Sequence, residues 1–307
     1  MRSVQARAAA VGGRWTTGGG PADRRVLDAL CVPALQALSA AVEADTRRLA
    51  LMAGVGRETA RTALLRLCQD GWIAQAKAAD GPHGAVWTIA PNTDIHSNPV
   101  QARSQADPRP AGAGSAERSL LLAELTRRLQ AAAHDLFTPS PGLGHLAGNL
   151  YAHTSRSPLP VLELTQRTGT TPAQASRAVD ALQAAGVLLA SADGYRRPAR
   201  DARRAAATRA GISGRLADRA RRYTAERALW AWWQAEHAWM TSPRRAAPQR
   251  RPGPGQLTLL PDAGTNAYGA YPRRSDGRAD HHAARRLLSE PSEPVAARRR
   301  RSAPLTA

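Results

Sequence analysis

Arg57 and Arg61 stand four residues apart in GRETARTALLRL, one helical turn. Two guanidiniums so spaced on a helix point the same way. Each can take the O6/N7 edge of a guanine bidentately, or a pair of phosphate oxygens. Ala60, Ala63, Leu64 and Leu67 form an apolar stripe on this segment, and Arg57, Glu58, Arg61, Thr62 and Arg66 fill the opposite face. Thr62, and Thr46 further upstream, suit phosphate or thymine-methyl contacts. A solvated charged face, which most helices possess, is the plainer alternative.

A second segment, TPAQASRAVDALQ, exposes Ala173, Gln174, Ser176, Arg177 and Asp180. Gln174 can read adenine, and Arg177 guanine or phosphate. Asp180 disfavours phosphate unless it meets a cytosine amine, so this face is the less basic of the two. Lys77 and His83 flank a Gly- and Pro-rich turn, from which they can graze a backbone or minor groove, or serve merely as turn residues. Trp72 and Trp87 beside them are of the type that packs.

The elements that must position these residues occur twice. Thr46–Ile73 and Val161–Leu188 align without a gap. Leu49, Gly54, Ala60, Ala63, Leu67 and Gly71 fall on Leu164, Gly169, Ala175, Ala178, Leu182 and Gly186. Each copy reads as a short helix, a glycine turn and a second helix, the arrangement that places a helix in the DNA major groove. Asp45 is the expected cap of the first helix, and Asp23 of a helix running to Leu38. Thr171 and Pro172 make a strong helix start, with Gly186 as the stop. After Gly71 the period changes: Trp72–Lys77 and Ala85–Ile89 have strand content around a turn. Helix, helix-turn-helix, hairpin is the order of a winged helix. Residues 187–197 hold a shorter hairpin.

The expected fold is mainly α with small β-hairpin wings: two tandem winged helix-turn-helix domains, a C-terminal helix and a disordered basic tail. Residues 1–20 read as a flexible arm and 21–91 as the first domain. Residues 92–115 form a linker without apolar periodicity, and 116–197 the second domain. A Trp-rich helical segment covers 198–240, broken at Gly211–Gly214. There Leu229, Trp230, Trp233, His237 and Met240 recur at helical spacing, as a core or self-association seam that would serve a homodimer. Base stacking on the tryptophans is the alternative. Residues 241–307, rich in Pro, Arg, Ser and Gly, read as disordered. Within them Gln256, Leu257, Leu259 and Leu260 make a short apolar peptide between prolines.

A net charge of +19 over 307 residues, nearly all of the cations arginine, favours a polyanionic partner. A GC-rich genome accounts for part of the arginine but not for its placement. Cys31 and Cys68 lie in apolar helical context and read as reduced, buried thiols. No run approaches transmembrane length, and the opening residues lack a signal-peptide core, so a cytoplasmic location without membrane contact is expected. No phosphate-binding glycine loop, zinc spacing or paired-acid signature occurs. The expected protein is therefore not an enzyme and needs no cofactor or metal; His281 and His282 read as incidental.

Both repeats resemble the winged helix-turn-helix units of bacterial regulators of the MarR and GntR type. The stretch R14-WTTGGGPADRRVLDAL, with the first repeat, also resembles the accessory region of replication proteins from actinobacterial plasmids and integrative elements. H134-DLF, G142-LGHLAGNLY and R222-YTAERALWAWWQAEHAWM are similar to the same proteins. The tail peptide Gln256–Leu260 resembles the motif by which bacterial proteins bind the replicative sliding clamp. These likenesses imply a double-stranded DNA-binding protein, a transcriptional regulator or copy-control factor of a mobile element. A replication initiator or accessory protein that recruits the replisome is the alternative. A non-enzymatic interaction scaffold with nonspecific nucleic-acid binding is the reading from outside DNA recognition.

Overall fold

Alternating small and large apolar residues at helical spacing give most of this chain a helical backbone with a buried stripe. The computed structural model describes residues 1–80, 83–89, 113–241 and 271–289. The chain is mainly helical, with small antiparallel sheets, and divides into a unit of residues 1–217 and a second of residues 218–307.

In the first unit, α1 (Arg2–Ala10) and a 3-10 turn (Gly12–Trp15) precede α2 (Gly20–Ala37) and β1 (Ala41–Ala44). Then come α3 (Thr46–Ala53), α4 (Arg57–Gln69), β2 (Ile73–Lys77) and β3 (Ala85–Ile89). The strands make an antiparallel sheet in the order β1-β3-β2, with Val42 opposite Trp87 and Ile73 opposite Ile89. The second repeat is introduced by α5 (Ala113–Ala132), a 3-10 turn (Asp135–Phe137) and α6 (Gly144–His153). It comprises α7 (Val161–Thr168), α8 (Pro172–Ala184), β4 (Leu189–Ser191) and β5 (Gly194–Arg196), and is followed by α9 (Arg203–Arg209).

The repeat in the sequence is a repeat in the backbone. α3 and α7 have the same length, as do α4 and α8. Gly54 and Gly169 end the first helix of each pair with φ of 66° and 69°, and Gly71 and Gly186 follow the second with 68° and 73°. Leu159 bridges Tyr195 at the place where Ala44 of β1 pairs with Ala85, so each copy draws a further extended segment to its hairpin.

Residues 1–20, expected as a flexible arm, instead bury Val4, Ala8 and Trp15. The Trp15 ring packs tilted against that of Trp72, centroids 5.0 Å apart, and donates its indole N–H to the Ala8 carbonyl. The two repeats, expected as separate domains, lie in one unit. A Cβ at Gly169 would sit 2.1 Å from the Gly12 carbonyl carbon, and one at Gly54 would sit 2.7 Å from Ala133 Cα. The turn of each copy thus rests on the segment that introduces the other. Asp23, expected as a helix cap, is inside α2 and fully buried. α5 stops at Ala132, and Asp135–Phe137 turn separately as a 3-10 helix capped by His134.

The second unit contains most of α10 (Arg215–Thr241), together with residues 271–289, which end in α11 (His281–Ser289). Trp232, Tyr271 and Ala284 form its buried centre, with Leu229, Trp233 and Leu288 around them. Trp230, named with Trp233 as the seam, is 48 % exposed. Both stripes have helical spacing; the buried one is the stripe that Tyr271 and Ala284 cover. His281 belongs to this packing and not to a tail without structure: its ring lies 4.8 Å from that of Trp233 and its Nδ1 2.7 Å from the Tyr271 hydroxyl.

Candidate nucleic-acid interface

The first helix pair is built from its caps inward. The Asp45 carboxylate accepts from the Arg47 backbone N–H at 2.8 Å, satisfying one of the free donors at the start of α3. Gly54 closes α3 in the left-handed region, and Val55, buried in the turn, donates to the Ala50 carbonyl at 2.9 Å. Ala60, Ala63, Leu64 and Leu67 of α4 are then wholly or almost wholly buried, as their spacing requires. Small alanines at the contact let the helices approach closely.

The opposite face of α4 is open. Glu58, Arg61 and Thr62 are exposed, and Arg57 presents 42 % of its side chain. Arg57 Nε lies 3.2 Å from Glu58 Oε1, and Arg61 4.0 Å from the other oxygen of the same carboxylate. Pairs this exposed contribute about 0–1 kcal/mol, so they yield readily to a phosphate or a base. The Thr62 hydroxyl donates to the Glu58 carbonyl at 2.8 Å, keeping its acceptor lone pairs and methyl outward. Thr46 is half-buried at the start of α3, next to Arg47 and the exposed Arg48.

Arg66 does not belong to that face. Its Nε reaches Asp23 Oδ2 at 2.9 Å and its terminal nitrogen reaches Oδ1 at 2.5 Å, bonds that raise the guanidinium pKa. Arg14 donates to the same carboxylate at 2.9 Å and to Asp70 at 2.7 Å. At about 100° per residue, Arg57 and Arg61 differ by roughly 40°, whereas Arg66 is about 180° from Arg57. On the same wheel Arg66 lies farther than Arg57 from the buried stripe of Ala60, Ala63, Leu64 and Leu67, so the buried Asp23, and not spacing, draws it inward.

At the β2–β3 hairpin, Lys77 and His83 are exposed, and residues 81 and 82 between them lie outside the described residues. His83 Nδ1 is 3.6 Å from Glu43, which also accepts from the Gly84 backbone, and Asp80 pairs with His83 across the turn. Two carboxylates at the tip temper its attraction for phosphate. Trp72 and Trp87 are buried packing residues, Trp72 with the Arg7 guanidinium 4.0 Å above its ring. Nothing in the residues adjoining Arg7, Arg14 and Trp15 signals these roles, because all three act through contacts across the chain.

The second pair repeats the scaffold with different chemistry. Thr171 Oγ1 accepts from Gln174 N, and Gln174 Oε1 accepts from Thr171 N at 3.0 Å, a reciprocal cap. Bidentate adenine reading uses that same amide oxygen, so cap and base would compete for its orientation. Ser176 lies 3.4 Å from Asp180, and Arg177 Nε donates to the Ala173 carbonyl. At the start of α7, Val161 and Leu162 are 38 % and 64 % exposed where α3 has Thr46 and Arg47. Thr46–Ile73 holds five arginines against two carboxylates, and Val161–Leu188 two against two.

Comparison with protein-family models, curated proteins and solved structures found no match. Among the described residues no helix is long and apolar enough to cross a membrane, and no group of His, Cys, Asp or Glu is placed to hold a metal ion. Cys31 is buried, its thiol pushed up to about 11 mainly by burial, and Cys68 is half-buried. Gln256, Leu257, Leu259 and Leu260 lie outside the described residues, as do residues 90–112.

Proposed function

We propose that this chain binds double-stranded DNA, with its repeats acting as tandem winged helix-turn-helix units and α4 as the helix that enters the major groove. The observation that carries the reading is the outer face of α4. Arg57 and Arg61 project one turn apart from the N-terminal half of a helix whose back is locked in the core. The surrounding charge supports it, since Arg47 and Arg48 stand at the start of α3 and the chain carries a net +19. A cytoplasmic regulator or copy-control factor of a mobile element fits this chemistry, and no catalytic step is part of it.

For the second copy, the exposed Val161 and Leu162 and the balanced charge of Val161–Leu188 favour a contact with protein over one with phosphate. The chain would then read DNA with one copy and hold a partner with the other.

Selection of bound fragments from genomic DNA supplies a site for the test. Arg57→Ala and Arg61→Ala should each weaken binding to that site by roughly 10-fold to 100-fold, the worth of one bidentate contact. Binding to random duplex should fall far less. Equal losses on both duplexes would reduce α4 to a phosphate contact and remove the proposed base reading.

A further inference from the structure

A cavity of about 260 Å³ lies inside the first unit, where the segments introducing the two repeats meet. α1, its following turn and α2 wall one side, and α5, α6 and α7 the other. Trp15, Leu121 and Leu146 give it apolar walls, while Arg24, Arg128 and His153 give it polar ones.

The polar groups around it are unbalanced in charge. Arg24 and Arg128 share one carboxylate, Asp28, each at 3.3 Å, and both donate to the single amide oxygen of Gln5. Glu124 is divided between Arg127 and Arg128. Arg25, buried behind them and outside the cavity lining, bonds only to uncharged groups, the side chain of Asn149 and the carbonyls of His145 and Ala53. Among the charged side chains that line the cavity, Arg24, Arg128 and Arg167 stand against one carboxylate, Glu124, with Asp28 and Glu163 pairing from outside the lining. His153 adds no compensating charge, and Arg128 Nε is buried without a hydrogen-bond partner. Buried charge without a counter-charge is costly, and a hydrogen-bond donor left unmade adds about 1–3 kcal/mol. An anion in the cavity relieves both.

The geometry points to this cavity as a binding site for a small organic anion, a carboxylate or phosphate head on a compact apolar body. Its volume is just below the roughly 300–1,000 Å³ usual for small-molecule sites, which excludes nucleotides and other large ligands. The head meets Arg128 and Arg24, and the body lies between Trp15, Leu121 and Leu146. This site is independent of the DNA reading.

The test uses the full chain with benzoate and phenyl phosphate as probes and benzyl alcohol as the neutral analogue. Thermal unfolding and tryptophan fluorescence should both show saturable binding of at least one anion, at least tenfold tighter than benzyl alcohol. The tighter anion identifies the headgroup. Arg128→Met removes the charge and the unpartnered donor while keeping the side-chain volume, so it should fold, and it should weaken anion binding at least tenfold. Leu121→Trp fills the cavity and should do the same; Leu146→Phe replaces it if Leu121→Trp lowers the melting temperature. Equal binding of benzyl alcohol, anion binding that survives both variants, or no saturable response to either anion up to about 10 mM, tenfold above a millimolar Kd, would overturn the assignment.

Discussion

α3–α4 and α7–α8 match in length, turn glycine, stop glycine and buried positions, yet they meet solvent with opposite chemistry. Where the first pair carries Thr46, Arg47, Arg57 and Arg61, the equivalent positions of the second are Val161, Leu162, Pro172 and Ser176. The inner residues are held by packing at near-crystalline density, so the same backbone demands the same small and large side chains. The outer residues are under no such demand and are free to follow whatever each surface touches. One scaffold used twice therefore does not imply one function used twice.

The largest effect that sharpens this contrast is on DNA affinity. Replacing Arg57 and Arg61 together by alanine should cost roughly 2–4 kcal/mol on the selected site, two bidentate contacts of about 1–3 kcal/mol each with some overlap. Replacing Ser176 and Arg177 together should change affinity less than threefold, and equal losses would erase the distinction between the copies. Fluorescence anisotropy at fixed salt measures both.

The scaffold itself can be broken at its turns. Gly169→Ala adds a 2.1 Å clash with the Gly12 backbone to the cost of a left-handed alanine, and should destabilise by about 3 kcal/mol in denaturant titration. Gly71→Ala has the same backbone penalty with nothing within 4 Å, and should cost only about 1 kcal/mol. Similar values for the two would mean that the Gly12–Gly169 contact does not hold the second copy in place.

Acid should act on the junction between the copies. Burial, with Arg128 and Arg24 nearby, lowers His153 to about 4, partly opposed by Asp28 and Glu124. The folded state then binds fewer protons than the unfolded chain between about pH 6.5 and pH 4, so stability is lost as the pH falls through that window. The loss should be on the order of 2–3 kcal/mol and should be absent in His153→Gln. A variant that keeps the full acid sensitivity would place its source elsewhere.

The smallest effect concerns the cap. Gln174→Ala should cost about 1 kcal/mol of stability and leave DNA affinity unchanged. A clear loss of affinity would show that this amide reads a base and that the second copy shares the work.

Much of this was legible beforehand because it is local. The start of α4 at Arg57 and its end at Gln69, the Asp45 and Thr171 caps and the left-handed glycines follow from neighbouring residues. The inner face of α4 follows from its period. What escaped depends on residues far away in sequence. α1 is a short helix with little apolar periodicity of its own, and it is fixed by Trp15 meeting Trp72. Asp23 resembles a cap until Arg66 and Arg14 are brought to it. Among closely spaced tryptophans, periodicity allows two stripes, and only Tyr271 selects the one containing Trp232.

Arg61 and Ser176 occupy equivalent positions on α4 and α8, which makes a paired cross-link the most direct test. In a Cys68→Ser background, Arg61→Cys and Ser176→Cys would each be labelled with a photoreactive azide and irradiated on the selected duplex. The account predicts adducts at major-groove base positions from residue 61, and few or none from residue 176. Efficient base adducts from residue 176, with none from residue 61, would contradict it.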